Sequence, residues 1–465
     1  LSDSTHTDFS ALPLSTELRN NLKDLGFSQL TQIQADALPP MLAGKDVIGQ
    51  AKTGSGKTVA FGLGILNKLD VKRFRIQSLV LCPTRELADQ VARELRKLAR
   101  ATHNVKILTL CGGVPMGPQI GSLEHGAHII VGTPGRIEDH LGRGGLDLSH
   151  VNLLVLDEAD RMLEMGFQDS LDFIISKISS PRQTLLFSAT YPDSIQQLAG
   201  RIQQQPVMVK VEDNVVNSNI RQHFYEVADD AQRLQALNDL LLAEAPESAL
   251  IFCNTKKETD EAADYLRGQG FAALALHGDM EQRDRDQTLV CFASKSARVL
   301  VATDVAARGL DIDKLELVIN YHLARDAEVH VHRVGRTGRA GNEGLAISLV
   351  SHKEGHKFTR LQNELGITKE TEALPEMATG HLRPPKAAMV TLQIDGGKKD
   401  KIRPGDIVGA LTSGGKIQGD EIGKIQVMPM SAYVAVQRKL ANQALELLNQ
   451  GKVKGRKMRA RIIGV

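Results

Sequence analysis

Three observations predict an α/β chain made of two doubly wound parallel-sheet domains and a small α+β domain. Short, wholly apolar runs alternate with helical stretches over residues 9–204. A second series of the same kind follows a polar break, and residues 386–465 read β-α-β-β-α-β.

In the first series the expected strands are 46–50, 78–82, 106–109, 128–131, 153–156 and 184–187. Each is rich in Leu or β-branched residues with no polar alternation, as parallel strands buried on both faces require. The second series offers 249–253, 272–276, 299–302 and 317–320, closed by 344–349. Polar residues around 203–206 and 214–219 read as a linker, and a second break ends in Pro384-Pro385. The predicted boundaries are a first domain at 1–205, a linker at 206–220, a second domain at 221–367, a linker at 368–385 and a third domain at 386–465. In that last domain, 389–394, 422–427, 432–436 and 457–463 read as strands. Helices are expected at 404–411, with Pro near its start, and at 439–448. This order is a split βαβ arrangement.

A chain of 465 residues is too long for one core, and its 42% hydrophobic and 24% charged residues fit a globular protein. No apolar run approaches the roughly 18–20 residues of a membrane span, and residues 1–9 carry no signal-peptide pattern. A start at Leu rather than Met suggests a trimmed beginning. Cys82, Cys111, Cys253 and Cys291 lack C-x-x-C spacing and read as buried, reduced thiols of a cytoplasmic protein. The net charge of +2 is uneven. Residues 384–465 hold fifteen Lys and Arg against six Asp and Glu, which leaves the remainder at −7. A basic module on an acidic body is the electrostatic footprint of a nucleic-acid anchor.

Ala51-Lys52-Thr53-Gly54-Ser55-Gly56-Lys57-Thr58 stands between an apolar strand and a helical segment. That order is a phosphate-binding loop. Its glycines let several N–H groups face one anion at a helix N-terminus, Lys57 reaches β/γ-phosphates, and the Thr58 hydroxyl is placed to ligate Mg²⁺. Asp157 and Glu158 follow a buried strand at its carboxyl end, where open α/β sheets bind ligands. Asp157 suits Mg²⁺ through a bridging water, and Glu158 suits positioning or deprotonating an attacking water. An acidic helix cap is the plainer reading. In the second series, His332-Arg333-Val334-Gly335-Arg336-Thr337-Gly338-Arg339 spaces Arg336 and Arg339 to converge on one polyphosphate; a solvated turn is the alternative. His330 and His332 make a weak metal candidate, two ligands without a third.

Through these motifs, residues 9–365 resemble the DEAD-box RNA helicases of superfamily 2. The resemblance implies RecA-like domains with ATP between the two sheets and RNA across both. Gly26-Phe27, Thr31 and Gln34 look like the adenine-reading Q motif, with Phe9 as the stacking aromatic, although 30–34 lacks the two expected prolines. Ala51 to Thr58 matches the family's own loop, so Ala51, Thr53, Gly54, Ser55 and Gly56 join Lys57 and Thr58 as nucleotide contacts. Pro83, Thr84, Arg85, Gly113, Thr133, Pro134, Gly135 and Arg136 match RNA-backbone contacts of the first domain. Ser188 and Thr190 match the element coupling hydrolysis to RNA, and His332 would couple to the DEAD segment. In the second domain Thr255, Arg285 and Thr303 match RNA-facing motifs, while Gly309 and Asp311 match the ribose-holding element.

The tail resembles that of the bacterial DbpA family, in which the helicase core carries an RRM-like domain. This resemblance implies recognition of a 23S rRNA hairpin in the peptidyl-transferase region during large-subunit assembly. It also implies neither DNA nor a membrane as partner, and nothing demands a dimer. The tail has Tyr433 but no pair of exposed rings on its central strands, and the chain has no Trp. Basic residues must then carry more of the contact: Lys398, Lys399, Lys401, Arg403, Arg438, Lys452, Lys454, Arg456, Lys457 and Arg459. Tyr433 reads equally as a stacking ring or as core. Two rival readings stay open, a DNA translocase of the same superfamily and an ATP-gated RNA clamp that separates no strands.

Overall fold

The computed structural model describes residues 8–51, 54–211, 219–307, 315–338, 343–375, 383–413 and 415–464. They form two compact units, residues up to 211 in the first and residues from 219 onward in the second.

The first unit holds a seven-stranded sheet of β1 Val47–Gln50, β2 Ser78–Leu81, β3 Ile107–Leu110, β4 Ile129–Gly132, β5 Leu153–Leu156, β6 Gln183–Ser188 and β7 Val207–Lys210. The order is β3-β4-β2-β5-β6-β1-β7, and every pairing is parallel. The two-residue period of a strand sends neighbours to opposite faces. Val47, Val80, Val155, Leu185 and Phe187 therefore enter one core, and Ile48, Leu79, Leu81, Leu154 and Leu186 enter the other. Burial on both faces explains why these strands are apolar throughout.

Helices supply the second half of each core. The helix Arg85–Leu98 shows how they start and stop. Thr84 Oγ1 accepts from the Leu87 amide at 3.3 Å, Glu86 lies in the first turn, and Arg96 and Lys97 lie in the last. A capping oxygen and charges opposed to the macrodipole each stabilise such a helix by about 1 kcal/mol or less.

The second unit contains two sheets. One is parallel, built from β8 Ile220–Val227, β9 Ala249–Cys253, β10 Ala273–Leu276, β11 Val299–Thr303, β12 Leu317–Asn320 and β13 Gly344–Ser351 in the order β10-β11-β9-β12-β13-β8. The other is antiparallel, with β14 Met389–Ile394, β15 Ile422–Val427, β16 Ala432–Gln437 and β17 Ala460–Ile463 in the order β15-β16-β14-β17. Helices Pro404–Thr412 and Ala441–Gln450 complete its split βαβ topology.

The expected linker 206–220 is corrected in part. Its residues 207–210 form β7, which pairs with β1 at the sheet edge. Its side chains alternate, Val209 buried and Met208 43% exposed, so β7 covers one face only and its polar mixture reads like a linker. Residue 220 opens β8, and β17 begins at Ala460 rather than 457. All four cysteines are free and buried, and burial pushes the Cys111 thiol up to about 12. Among the described residues no helix is long and apolar enough to cross a membrane.

Candidate functional site

In the first unit the expected nucleotide residues gather at the carboxyl ends of the neighbouring strands β1, β6 and β5. Gly56 has φ +96°, and a Cβ there would stand 2.5 Å from Gln34 Nε2, so only glycine fits this turn. The helix Lys57–Lys68 starts at once after it, directing its first N–H groups into the loop. Lys57 is 6% exposed and donates from Nζ to the Ala51 carbonyl at 2.7 Å. A ligand phosphate would have to draw the ammonium off that carbonyl.

Asp157 hydrogen-bonds from its amide to Leu81 O at 3.0 Å, and its Oδ1 accepts the Glu158 amide at 3.0 Å. Burial pushes its carboxyl up to about 6, the nearby Lys57 ammonium opposing and the Glu158 carboxylate adding to the rise. Glu158 sits in the left-handed region at φ +50°, ψ 52°, an uncommon place for a non-glycine residue and a frequent one at functional sites. A buried carboxylate that resists ionisation next to an anion loop is suited to a divalent cation. Among the described residues no three carboxylate, His or Cys side chains converge, so most ligands would come from water and phosphate.

Asp160 was not among the expected site residues, yet it ties the DEAD segment to β6. Its Oδ2 accepts from the Ala189 amide at 3.2 Å, the Thr190 amide at 3.1 Å and the Thr190 hydroxyl at 2.9 Å. Its own amide donates to Ser188 Oγ at 3.3 Å. The third letter after Asp157 carries a signal only through its neighbours, since the Thr190 hydroxyl that donates to it lies 30 residues away.

The residues expected to read adenine are packed against one another and the loop, and Phe9 differs from the open ring expected. Gln34 is 2% exposed, its Oε1 accepting from the Thr31 amide at 2.9 Å and its Nε2 donating to Gly56 O at 3.2 Å. An amide oxygen has a second lone pair and the nitrogen a second proton, so one further bond each remains. Phe9 is only 4% exposed and meets Phe27 edge-on at 6.2 Å. It is a core residue here, and Phe27 is the ring with open surface. Thr53, Gly309, Asp311 and Arg339 lie outside the described residues.

The residues expected to touch RNA occupy the ends of β2, β4 and β3, the other half of the same edge. Thr84 and Thr133 are N-caps, and Pro134 takes the first helical position of Pro134–Gly142. Arg136 donates to Val114 O at 3.0 Å, and Arg85 approaches Asp89 at 3.6 Å. Beneath Gly113 runs a relay that the sequence did not reveal. The fully buried His140 bonds through Nε2 to Gln119 Oε1 at 3.0 Å, and Gln119 Nε2 donates to Cys111 O at 2.9 Å. Burial, with Arg136 second, lowers the His140 pKa, so the neutral ring donates from Nε2.

In the second unit Thr255, Arg285 and Thr303 stand at the ends of β9, on the helix Gln282–Ala293 and at the end of β11. Arg336 is 6% exposed. Arg333, counted in the Arg-rich loop but given no role, is 1% exposed and bolts the strand ends together. It binds Asp304 through Nε at 2.6 Å and Nη2 at 2.7 Å, reaches Asn254 Oδ1 at 2.9 Å and His322 O at 2.8 Å, and lies over the Phe252 ring at 5.2 Å. His330 bonds to Gln222 Oε1 at 3.0 Å, and burial plus the Arg333 charge bring its pKa down to about 4. The described residues contain no metal-ligand cluster, so the His330–His332 pair has no third ligand among them.

The antiparallel module gathers eight of its expected contacts at one end. Lys398, Lys399, Lys401 and Arg403 follow β14, while Lys452, Lys454, Arg456 and Lys457 precede β17, and Ile394 pairs with Ala460 where the two loops meet. Lys454 Nζ donates to Lys401 O, and Arg456 approaches Asp400 at 3.8 Å. Arg438 belongs at the opposite end, donating to Ala387 O at 2.5 Å. Tyr433 is also corrected. It is 4% exposed in a cluster with Val290, Cys291 and Ile463, and Ser296 Oγ meets Thr391 Oγ1 at 2.7 Å beside it. The outer face of β14 and β16 is therefore docked against the parallel-sheet part of the unit, leaving Tyr433 no face for a base.

Comparison with known proteins fits this arrangement. Residues 31–198 match the DEAD/DEAH box helicase family, residues 232–341 the helicase conserved C-terminal domain, and residues 391–462 the DbpA RNA binding domain. The chain is 54% identical over 443 residues to ATP-dependent RNA helicase DbpA of Escherichia coli (strain K12), spanning 95% of this chain and 96% of that one. It is 47% identical to the DEAD-box ATP-dependent RNA helicase CshA of Geobacillus kaustophilus, over 75% and 74% of the two. Among solved structures, S. cerevisiae Dbp5 bound to RNA and ADP BeF3 superposes with a TM-score of 0.71 at 31% identity, over 78% of this chain and 95% of that one. Mss116p bound to ssRNA and AMP-PNP gives 0.73 at 27% identity, over 81% of each. The chain belongs to the DEAD-box ATP-dependent RNA helicases, and it is an RNA-dependent ATPase. Its third domain is a DbpA RNA-binding domain, which sets it apart from helicases that consist of the two parallel sheets alone.

Proposed function

We propose that this helicase remodels ribosomal RNA, its C-terminal module capturing a 23S rRNA hairpin and its helicase core locally unwinding nearby RNA during large-subunit assembly. The observation that carries the reading is the patch of eight cations at one end of a domain matched to the DbpA RNA-binding family. Phosphates bind such a patch by releasing counterions, and the module's docked face leaves this end as its strongest charge.

In this reading Lys57 leaves Ala51 O for the β/γ-phosphates of ATP, and the loop N–H groups hold the remaining oxygens. Thr58 and Asp157 would hold Mg²⁺, which supplies charge neutralisation on the transferred group. Glu158 orients the attacking water and takes its proton, while Arg336 and Arg339 offset the charge on the phosphoryl oxygens. Asp160 passes the state of the DEAD segment to Ser188 and Thr190. Pro83, Thr84, Arg85, Gly113, Thr133, Pro134, Gly135, Arg136, Thr255, Arg285 and Thr303 hold the RNA backbone. The protein acts as a monomer in the cytoplasm.

The test is a competition titration at fixed salt, with a labelled peptidyl-transferase hairpin against unrelated RNA. Replacing Lys398, Lys399, Lys452 and Lys454 with Gln should erase the preference for the hairpin and leave ATP binding intact. A preference retained by that variant would refute the targeting role.

A further inference from the structure

The cations of the loop 70–76, which enters β2, have no part in the site described above. This loop lies at the amino-terminal edge of the first sheet, whereas the P-loop, the DEAD segment and the expected RNA contacts all lie at the carboxyl edge. Four-residue strands separate the two edges by about 13 Å.

The loop is rigidly built. Gln77, 3% exposed, donates from Nε2 to Asp70 O at 2.8 Å and Arg73 O at 2.7 Å, and its Oε1 accepts the Asp70 amide at 3.0 Å. The Asp70 carboxylate is spent on the Lys72 amide at 3.0 Å. Lys72, Arg73 and Arg75 all point to solvent, and among the described residues none of them forms an ion pair; Arg75 lies near Asp147 without pairing with it.

Between these cations stands Phe74, 46% exposed, one of the few large apolar side chains left in water. Its position is fixed rather than idle. The ring rests against His128 at 4.7 Å with the planes at 87°. His128 is fully buried: its Nδ1 accepts the Lys106 amide at 3.1 Å, so its proton is on Nε2 and is donated to Val71 O at 3.1 Å. Gly126, at φ +72°, makes room for the ring; a Cβ there would stand 2.4 Å from Phe74 Cε1. An exposed ring held by a buried histidine and flanked by unpaired cations is the pattern of a stacking platform for a single strand.

We propose that this edge is a second RNA-binding surface, with single-stranded RNA stacking one base on Phe74 and placing its phosphates on Lys72, Arg73 and Arg75. RNA is favoured over an acidic protein segment because an open aromatic ring adds to the free cations, and a π-face is what a base supplies. The surface would engage flanking single strands of a long substrate that is held at the carboxyl edge.

The experiment uses the full chain and two RNA probes, a single strand of about 40 nucleotides with 4-thiouridine and an unmodified one of about 10. Site sizes for single-strand grooves run from about 4 to 16 nucleotides, so only the longer probe spans both surfaces. Irradiation should cross-link the long probe to residues 71–76. The variant K72Q/R73Q/R75Q should raise the long probe's half-saturation in ATPase assays by about tenfold. It should also reduce the salt slope by about 2, at roughly 0.7 per phosphate contact on single strands. Maximal turnover and the short probe's half-saturation should stay unchanged. Phe74→Ala alone should weaken the long probe by about fivefold or more, and Phe74→Tyr should restore it. An unchanged salt slope, or no cross-link at 71–76, would overturn the proposal. So would a variant that keeps RNA affinity while losing binding to polyglutamate.

Discussion

The two parallel sheets share an architecture and differ in what stands at their strand ends. The first unit gathers reactive groups there: a phosphate loop turned at Gly56, a Glu158 in left-handed backbone, and an Asp157 whose carboxyl burial raises to about 6. The second unit closes the equivalent edge on itself. Arg333 pairs bidentately with Asp304 and reaches Asn254, and a neutral His330 fills the space beside it. One edge carries left-handed backbone at Glu158 and a buried Asp157, and the other is locked by the Arg333 network. The same fold thus carries the phosphate loop and DEAD segment in one copy and a stiff frame next to the buried Arg336 in the other.

The sharpest way to break this contrast is to remove one residue from each side. Glu158→Gln should lower RNA-stimulated turnover by about 10²–10⁴-fold while ATP binding persists, as loss of a general base does. Steady-state ATPase assays and nucleotide titration read the two effects separately. Arg333→Met should act on folding instead, destabilising the second unit by about 1–3 kcal/mol, because Asn254 Oδ1, the His322 carbonyl and the part-buried Asp304 carboxylate all lose their donor. A denaturant melt reads that loss, and the first unit's transition should not move.

A smaller effect follows from Asp157. Its folded pKa is raised to about 6 from an ordinary 3.8, so the neutral form is the one the ligand-free fold favours. That contribution to stability is present below about pH 4 and is lost as the pH rises through 6. Without nucleotide or divalent cation, Asp157→Asn should therefore stabilise the chain at pH 8 by at most about 3 kcal/mol. The gain should vanish at pH 4 in paired thermal melts. The smallest expected effect concerns the docked module. Tyr433→Leu, which removes the ring, should leave hairpin affinity within about twofold, because the ring is buried against Val290 and Cys291. A large loss would mean that the face opens to RNA.

Much of this was legible in the sequence. Strands buried on both faces are apolar throughout, so the sequence places β2, β5 and β12 to within a residue or two, with the phosphate loop after β1 and the DEAD segment after β5. What escaped depended on partners distant in sequence. β7 is an edge strand with one wet face, and it reads as linker until β1 lies beside it. Asp160, Arg333 and the Gln119–His140 relay bond to residues distant in sequence, and nothing local distinguishes them from ordinary polar residues. Tyr433 could have pointed either way, and only the docking of helix Gln282–Ala293 decides which face of its sheet meets water. Phe74 stood in a short basic loop whose support, His128, comes from the entry to β4.

The account's central claim is an RNA-dependent ATPase aimed at ribosomal RNA by the basic end of its third domain. Steady-state ATPase at fixed salt tests it most directly, with equal masses of unrelated single-stranded RNA and of an rRNA fragment containing the peptidyl-transferase hairpin. Strong stimulation by the rRNA fragment and weak stimulation by the unrelated strand is the predicted result. Equal stimulation by both would contradict it, leaving a general RNA helicase with an anchor that does not choose.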